Sequence, residues 1–96
     1  MAADPAYLND IGTLIDLDTG EDISSATVQR IKYRKPSGAT GYWVGVIGTD
    51  TTSVEYTTID GDLDEIGTWT TQVYIEMPTW KGHSTMITFK VVDPIA

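Results

Sequence analysis

Asp60-Gly-Asp-Leu-Asp-Glu-Ile-Gly-Thr-Trp-Thr-Thr-Gln-Val-Tyr-Ile-Glu-Met77 joins an acidic turn to a run in which apolar and polar residues alternate. Successive strand side chains point to opposite faces, so Trp69, Thr71, Val73, Ile75 and Met77 share one side of the pleat and Thr70, Gln72, Tyr74 and Glu76 the other. Only the first set can line a core. Upstream, Leu63 and Ile66 stand three apart in acid-rich sequence, which predicts a single helical turn with Asp62 and Asp64 favouring its N-terminal end. Gly67 then relieves the backbone before Trp69. The stretch predicts a corner followed by a long central strand.

Reading outward towards the C-terminus, Met77-Pro-Thr-Trp-Lys-Gly82 predicts a connection and His83 to Val92 a closing strand, with Ile87, Phe89 and Val91 inward and Thr88 and Lys90 outward. Asp93-Pro94 ends it, because proline cannot donate to a ladder. Towards the N-terminus, Ser53 to Ile59 reads as a strand with Val54 and Tyr56 in phase, and Tyr42 to Ile47 as another that carries Trp43, a candidate for burial between two sheets. Lys35 to Gly41 is a turn marked by Pro36 and Gly38. Ala26 to about Arg34 predicts a strand of imperfect phase: Ala26 and Val28 share one parity, Ile31 and Tyr33 the other. A bulge near Gln29 or Arg30 would bring both pairs inward and is the preferred arrangement. The alternative is a regular strand that buries Ile31 and Tyr33 and exposes Val28. A first strand is expected from about Ile11 to Leu17, then a turn at Asp18-Thr-Gly-Glu21. Residues 1–9 read as an arm, with Tyr7 and Leu8 its only anchors, disordered alone or ordered against a neighbour. That leaves 10–96 as the folded domain.

About seven short strands with a turn roughly every ten residues predict an all-β protein, an antiparallel β-sandwich. An aromatic two residues past a glycine, at a corner where the chain crosses between sheets, is the arrangement before the F strand of immunoglobulin-like sandwiches, where the usual residue is tyrosine. Trp69 can donate through its indole N–H but cannot reproduce the phenol.

With 96 residues there is room for one modest core and no separate catalytic domain. There is no cysteine, which removes disulfides, thiolate metal sites and cysteine nucleophiles together. The net charge of -8 argues against nucleic acid as a partner, since phosphate binding needs a basic stripe that six Lys and Arg do not supply. Residues 1–10 lack the basic start and apolar run of a secretory signal, and no apolar stretch reaches the length of a membrane span.

Candidate chemistry is sparse. Asp16, Asp18, Glu21 and Asp22, and again Asp60, Asp62, Asp64 and Glu65, form acidic clusters, but neither has the EF-hand pattern of a sixth-place glycine and a twelfth-place glutamate. An irregular calcium site is left open, and plain solvated turns are the favoured reading. His83 is the sole histidine, adjacent to Ser84 on one strand, so the two side chains diverge and no catalytic triad is expected. Neither a catalytic residue nor a cofactor is predicted. Arg30, Lys32 and Arg34 alternate along one strand face, which suggests a solvated face, an edge guarded against aggregation, or a docking surface for an acidic neighbour. Trp80, in the connection before the last strand, suggests a partner contact or a cap on the core.

The chain resembles small immunoglobulin-like domains of tailed bacteriophages, such as the N-terminal domains of upper-baseplate proteins and single-domain proteins encoded among tail-fibre genes. The residues that carry the resemblance are Asp10-Ile-Gly-Thr-Leu14, Glu21-Asp-Ile-Ser-Ser-Ala26, Arg34-Lys-Pro-Ser-Gly38, Tyr56-Thr-Thr58, Gly61-Asp-Leu-Asp-Glu-Ile-Gly-Thr-Trp69 and Pro78-Thr-Trp-Lys-Gly82. They cover nearly all of the chain beyond Tyr7. The resemblance implies a virion structural adaptor, made in the host cytoplasm and placed in the tail or baseplate region. It implies no enzymatic activity, with other virion proteins in a symmetric multi-copy assembly as partners. Tyr7, Leu8, Arg30, Lys32, Arg34 and Trp80 are then the candidate partner contacts. The alternatives are a capsid decoration protein, or a carbohydrate-binding module that stacks sugars on Trp80 with Trp43 or Tyr42.

Overall fold

The alternation in sequence becomes an alternation in burial. Along one strand, Gly67–Met77, the side chains of Trp69, Thr71, Val73 and Ile75 are buried while Thr70, Gln72, Tyr74 and Glu76 on the opposite face are half-buried. The computed structural model describes residues 6–95. Eight strands run in chain order: β1 (Ala6–Tyr7), β2 (Leu14–Asp18), β3 (Val28–Arg34), β4 (Thr40–Val44), β5 (Val46–Ile47), β6 (Ser53–Thr57), β7 (Gly67–Met77) and β8 (Trp80–Val92). They form two sheets, one in the order β1-β8-β7-β3-β4 and the other β2-β6-β5. All pairings are antiparallel except that of β1, which runs parallel to β8. With β3, β7 and β8 in the C, F and G places and β2, β5 and β6 in the B, D and E places, this is an all-β immunoglobulin-like sandwich.

The core lies between the sheets. Ile15 and Leu17 of β2 and Val54 of β6 face Ile31, Val73, Ile75 and Val91 of the larger sheet, all essentially sealed from water. Each such side chain contributes roughly 1.5–3 kcal/mol of burial, so this set outweighs any surface ion pair. One end is aromatic. Trp43 stacks on Tyr56 with ring centroids 5.0 Å apart, Trp69 lies 6.1 Å from Trp43, and Phe89 lies 6.0 Å from Trp69. The indole N–H of Trp69 donates to the Glu65 carbonyl at 3.0 Å, so the tryptophan ties the corner down as a tyrosine would.

Several expectations are corrected. No helical turn forms over Leu63 to Ile66: a turn at Asp60 and Gly61 leads into bends and irregular backbone. Asp62 instead folds back, its carboxylate accepting from the Ile59 N–H at 2.8 Å and the Tyr56 hydroxyl at 2.6 Å, which stabilises a turn at the expense of a helix. The first strand starts at Leu14, not Ile11, because Gly12 takes φ 88° and leaves Ile11 exposed. The bulge expected in β3 is absent. That strand is hydrogen-bonded on both sides in regular register, so an extra residue would disrupt two ladders; the irregularity sits between Gln72 and Tyr74, where β7 meets the more lightly flanked β8. Ile31 is buried, and Val28 and Tyr33 are half-buried.

The Tyr42 to Ile47 strand splits in two at Gly45, with β4 in the large sheet and β5 in the small one. A Cβ on Gly45 would collide with Val54 Cγ1, so only glycine allows the chain to pass so close to β6. The last strand begins at Trp80 and not His83, because Pro78 and Thr79 alone make the turn between the paired residues Met77 and Trp80. Residues 1–5 of the expected arm lie outside the described residues. Ala6 and Tyr7 are ordered against their own chain, not a neighbour, through pairing with Val91 and Val92.

Candidate functional site

The six residues singled out for partner contact do not converge. Tyr7 is exposed on β1, and Leu8 packs against the core while its N–H donates to the Val92 carbonyl at 2.9 Å, both at the C-terminal end of β8. Trp80 is at the other end of that strand, exposed, its ring lying over Gly82. The 13 residues of β8 separate these positions by roughly 40 Å at about 3.3 Å per residue. Trp43 is buried in the core, so it cannot serve as a sugar-stacking platform.

Arg30, Lys32 and Arg34 do form a group, on the outer face of the large sheet. Their strand is not an edge: β3 lies between β4 and β7. The register sets them in three cross-strand rows, Arg34 between Thr40 and Thr70, Lys32 between Tyr42 and Gln72, and Arg30 between Val44 and Tyr74. Arg30 leans towards the edge, its guanidinium carbon 4.6 Å from the Tyr42 ring centroid. Lys32 leans the other way, over Tyr74 at 5.1 Å, and donates to His83 Nε2 at 2.9 Å. His83 is thereby engaged with Lys32 and packs tilted against Tyr74, at 5.2 Å between centroids. An open cleft of about 410 Å³ runs between the rows, lined by Lys32, Arg34, Thr40, Tyr42, Gln72 and Met86.

Charge is distributed unevenly. Fourteen carboxylates stand against six basic residues, yet among the described residues Arg30, Lys32 and Arg34 make no ion pair. Lys35 instead bridges to both oxygens of Asp64 at 2.9 Å, and hydrogen bonding to that carboxylate raises its pKa. Ser37 donates to Glu65 through its N–H and its hydroxyl, so the β3–β4 turn is clipped to the corner before β7. Asp62, Asp64 and Glu65 thus bind protein donors. Among the described residues no three His, Asp or Glu side chains converge in a metal-binding arrangement. Tyr74 donates to Glu76 at 2.8 Å, and that bond raises the phenol pKa.

Beside the cations lies a feature the sequence reading passed over. β4, Thr40-Gly-Tyr-Trp-Val44, is one edge of the large sheet, opposite the two-residue β1, and contains neither a charge nor a proline. Edge strands are normally blunted by one or the other. Tyr42 and Val44 are exposed there, Val44 by 69%. The absence of any gatekeeper in that run was legible; its position at an edge was not. No protein-family model and no curated protein matches the chain.

Proposed function

We propose that this chain is a non-catalytic docking domain: a tail, baseplate or tail-fibre adaptor of a tailed bacteriophage virion, present in many symmetric copies and holding other structural proteins. The observation that carries the docking reading is the outer face of the large sheet. Three cations that make no ion pair among the described residues are gathered there with exposed apolar side chains, in a chain of net charge -8. Such a face is poorly explained by solubility, which would be served by acid, and well explained by recognition of a complementary surface. The virion assignment rests on the resemblance carried by the corner and turn residues. Many copies on one particle make individually weak contacts sufficient through avidity.

Negative-stain imaging of particles carrying a gold-tagged copy of this chain tests the assignment. Label on the tail is the expected result. Label on the head would move the protein to capsid decoration, and unlabelled particles would end the virion reading.

A further inference from the structure

We infer that β4 and the cations behind it form a strand-addition site that receives an extended acidic segment of a partner protein. The inference rests on the docking reading above and specifies its partner. Three observations carry it. First, β4 is an unprotected edge: among the described residues it pairs only with β3, so one side of its backbone has donors and acceptors without strand partners. A polypeptide can satisfy them by adding as a sixth strand, which a glycan cannot do. Second, the side chains beside that edge are apolar, with Tyr42 and Val44 exposed on the outer face. A new strand about 4.8 Å away would cover them with its own alternate side chains.

Third, the charge behind the edge is positive, and among the described residues Arg30 and Arg34 make no ion pair. The Arg30 guanidinium already lies above the Tyr42 ring, on β4 itself, within reach of a carboxylate on the next strand. Arg34 lines the cleft beside Thr40. Carboxylates at alternate positions of the added strand would meet Arg30 and Arg34 as charge-assisted hydrogen bonds. The same charges argue against a second copy pairing through its own β4. That sheet would juxtapose two sets of Arg30, Lys32 and Arg34 and two bodies of net charge -8, with no acidic residue in either β4 to compensate.

The test uses the full chain and a fluorescein-labelled nonapeptide of alternating Glu and Val. Controls are the matching Lys and Val peptide and a proline-interrupted Glu and Val peptide. Fluorescence anisotropy is expected to show the acidic peptide binding at least about tenfold more tightly than either control, and weakening as salt screens the contact. Arg30→Glu with Arg34→Glu should reduce binding by about tenfold or more. Val44→Glu, at an exposed position, should do the same, because it removes an apolar contact and sets a like charge against the acidic strand. Circular dichroism checks that both variants stay folded. In the bound state the amides of Thr40 to Val44 should gain protection from hydrogen exchange. The inference is overturned if the three peptides bind alike, if protection falls outside β4, if a polyuronate binds and the acidic peptide does not, or if the chain self-associates through this edge. Tail labelling together with absent peptide binding would remove this site and leave the docking assignment in place.

Discussion

Replacing Trp69 by Phe separates the indole hydrogen bond from most of the ring's packing. Trp69 is fully buried, and its N–H is the partner of the Glu65 carbonyl at 3.0 Å. Phenylalanine keeps contact with Phe89 and Trp43 but vacates about 40 Å³, which at about 24 cal/mol per Å³ is ~1 kcal/mol. Leaving the carbonyl without its donor adds about 1–3 kcal/mol, less where water reaches it. The expected loss is therefore about 2–4 kcal/mol, a large fraction of the stability of a domain this size. Equilibrium urea unfolding should show it as a lower midpoint at unchanged slope, the sign of a stability change without a change in compactness. Trp69→Tyr should recover part of the loss if the phenol reaches a carbonyl of the corner. A Trp69→Phe loss under about 1 kcal/mol would refute the reasoning that this bond holds the corner.

Three other outcomes follow from the geometry. Burial, and then donation to Asp62, raise the Tyr56 pKa from 10.0 to about 12. Because the folded value exceeds the unfolded one, this contribution is fully present below pH 10 and is lost as pH rises through about 12; absorbance titration of wild type against Tyr56→Phe reads it directly. Gly45→Ala should destabilise by about 1–3 kcal/mol in thermal unfolding, since its methyl group meets fully buried Val54. Asp16 and Glu55 face each other across β2 and β6, so Glu55→Thr should raise stability by about 0.2–1 kcal/mol in urea, unlike the usual surface substitution.

Much of the fold was readable because the decisive residues act locally. The alternation from Trp69 to Ile75 is a property of one strand, and it identified both the buried face and the long strand of the larger sheet. Trp43 was expected between the sheets and is there. What escaped the reading depends on residues far apart in sequence. Gly45 looks like any glycine in a strand until Val54 of β6 is seen against it. The phase conflict between Val28 and Ile31 suggested a bulge, but the two flanking strands hold β3 regular and leave Val28 half-buried. Asp62 and Asp64 suited a helix start by composition, yet their acceptor oxygens are claimed by Tyr56 and Ile59 and by Lys35. The candidate site was legible only as an alternation of cations. That Arg30 leans over an open edge strand depends on β4 being last in its sheet, which periodicity does not specify.

The most direct test of the docking face proposed above is hydrogen exchange on the chain within the proposed virion particle compared with the free chain. Slowed exchange concentrated in Thr40 to Val44, with Arg30 to Arg34 covered in parallel footprinting of side chains, is the predicted result. Protection confined to β2, β5 and β6, or exchange identical in the two states, would contradict it.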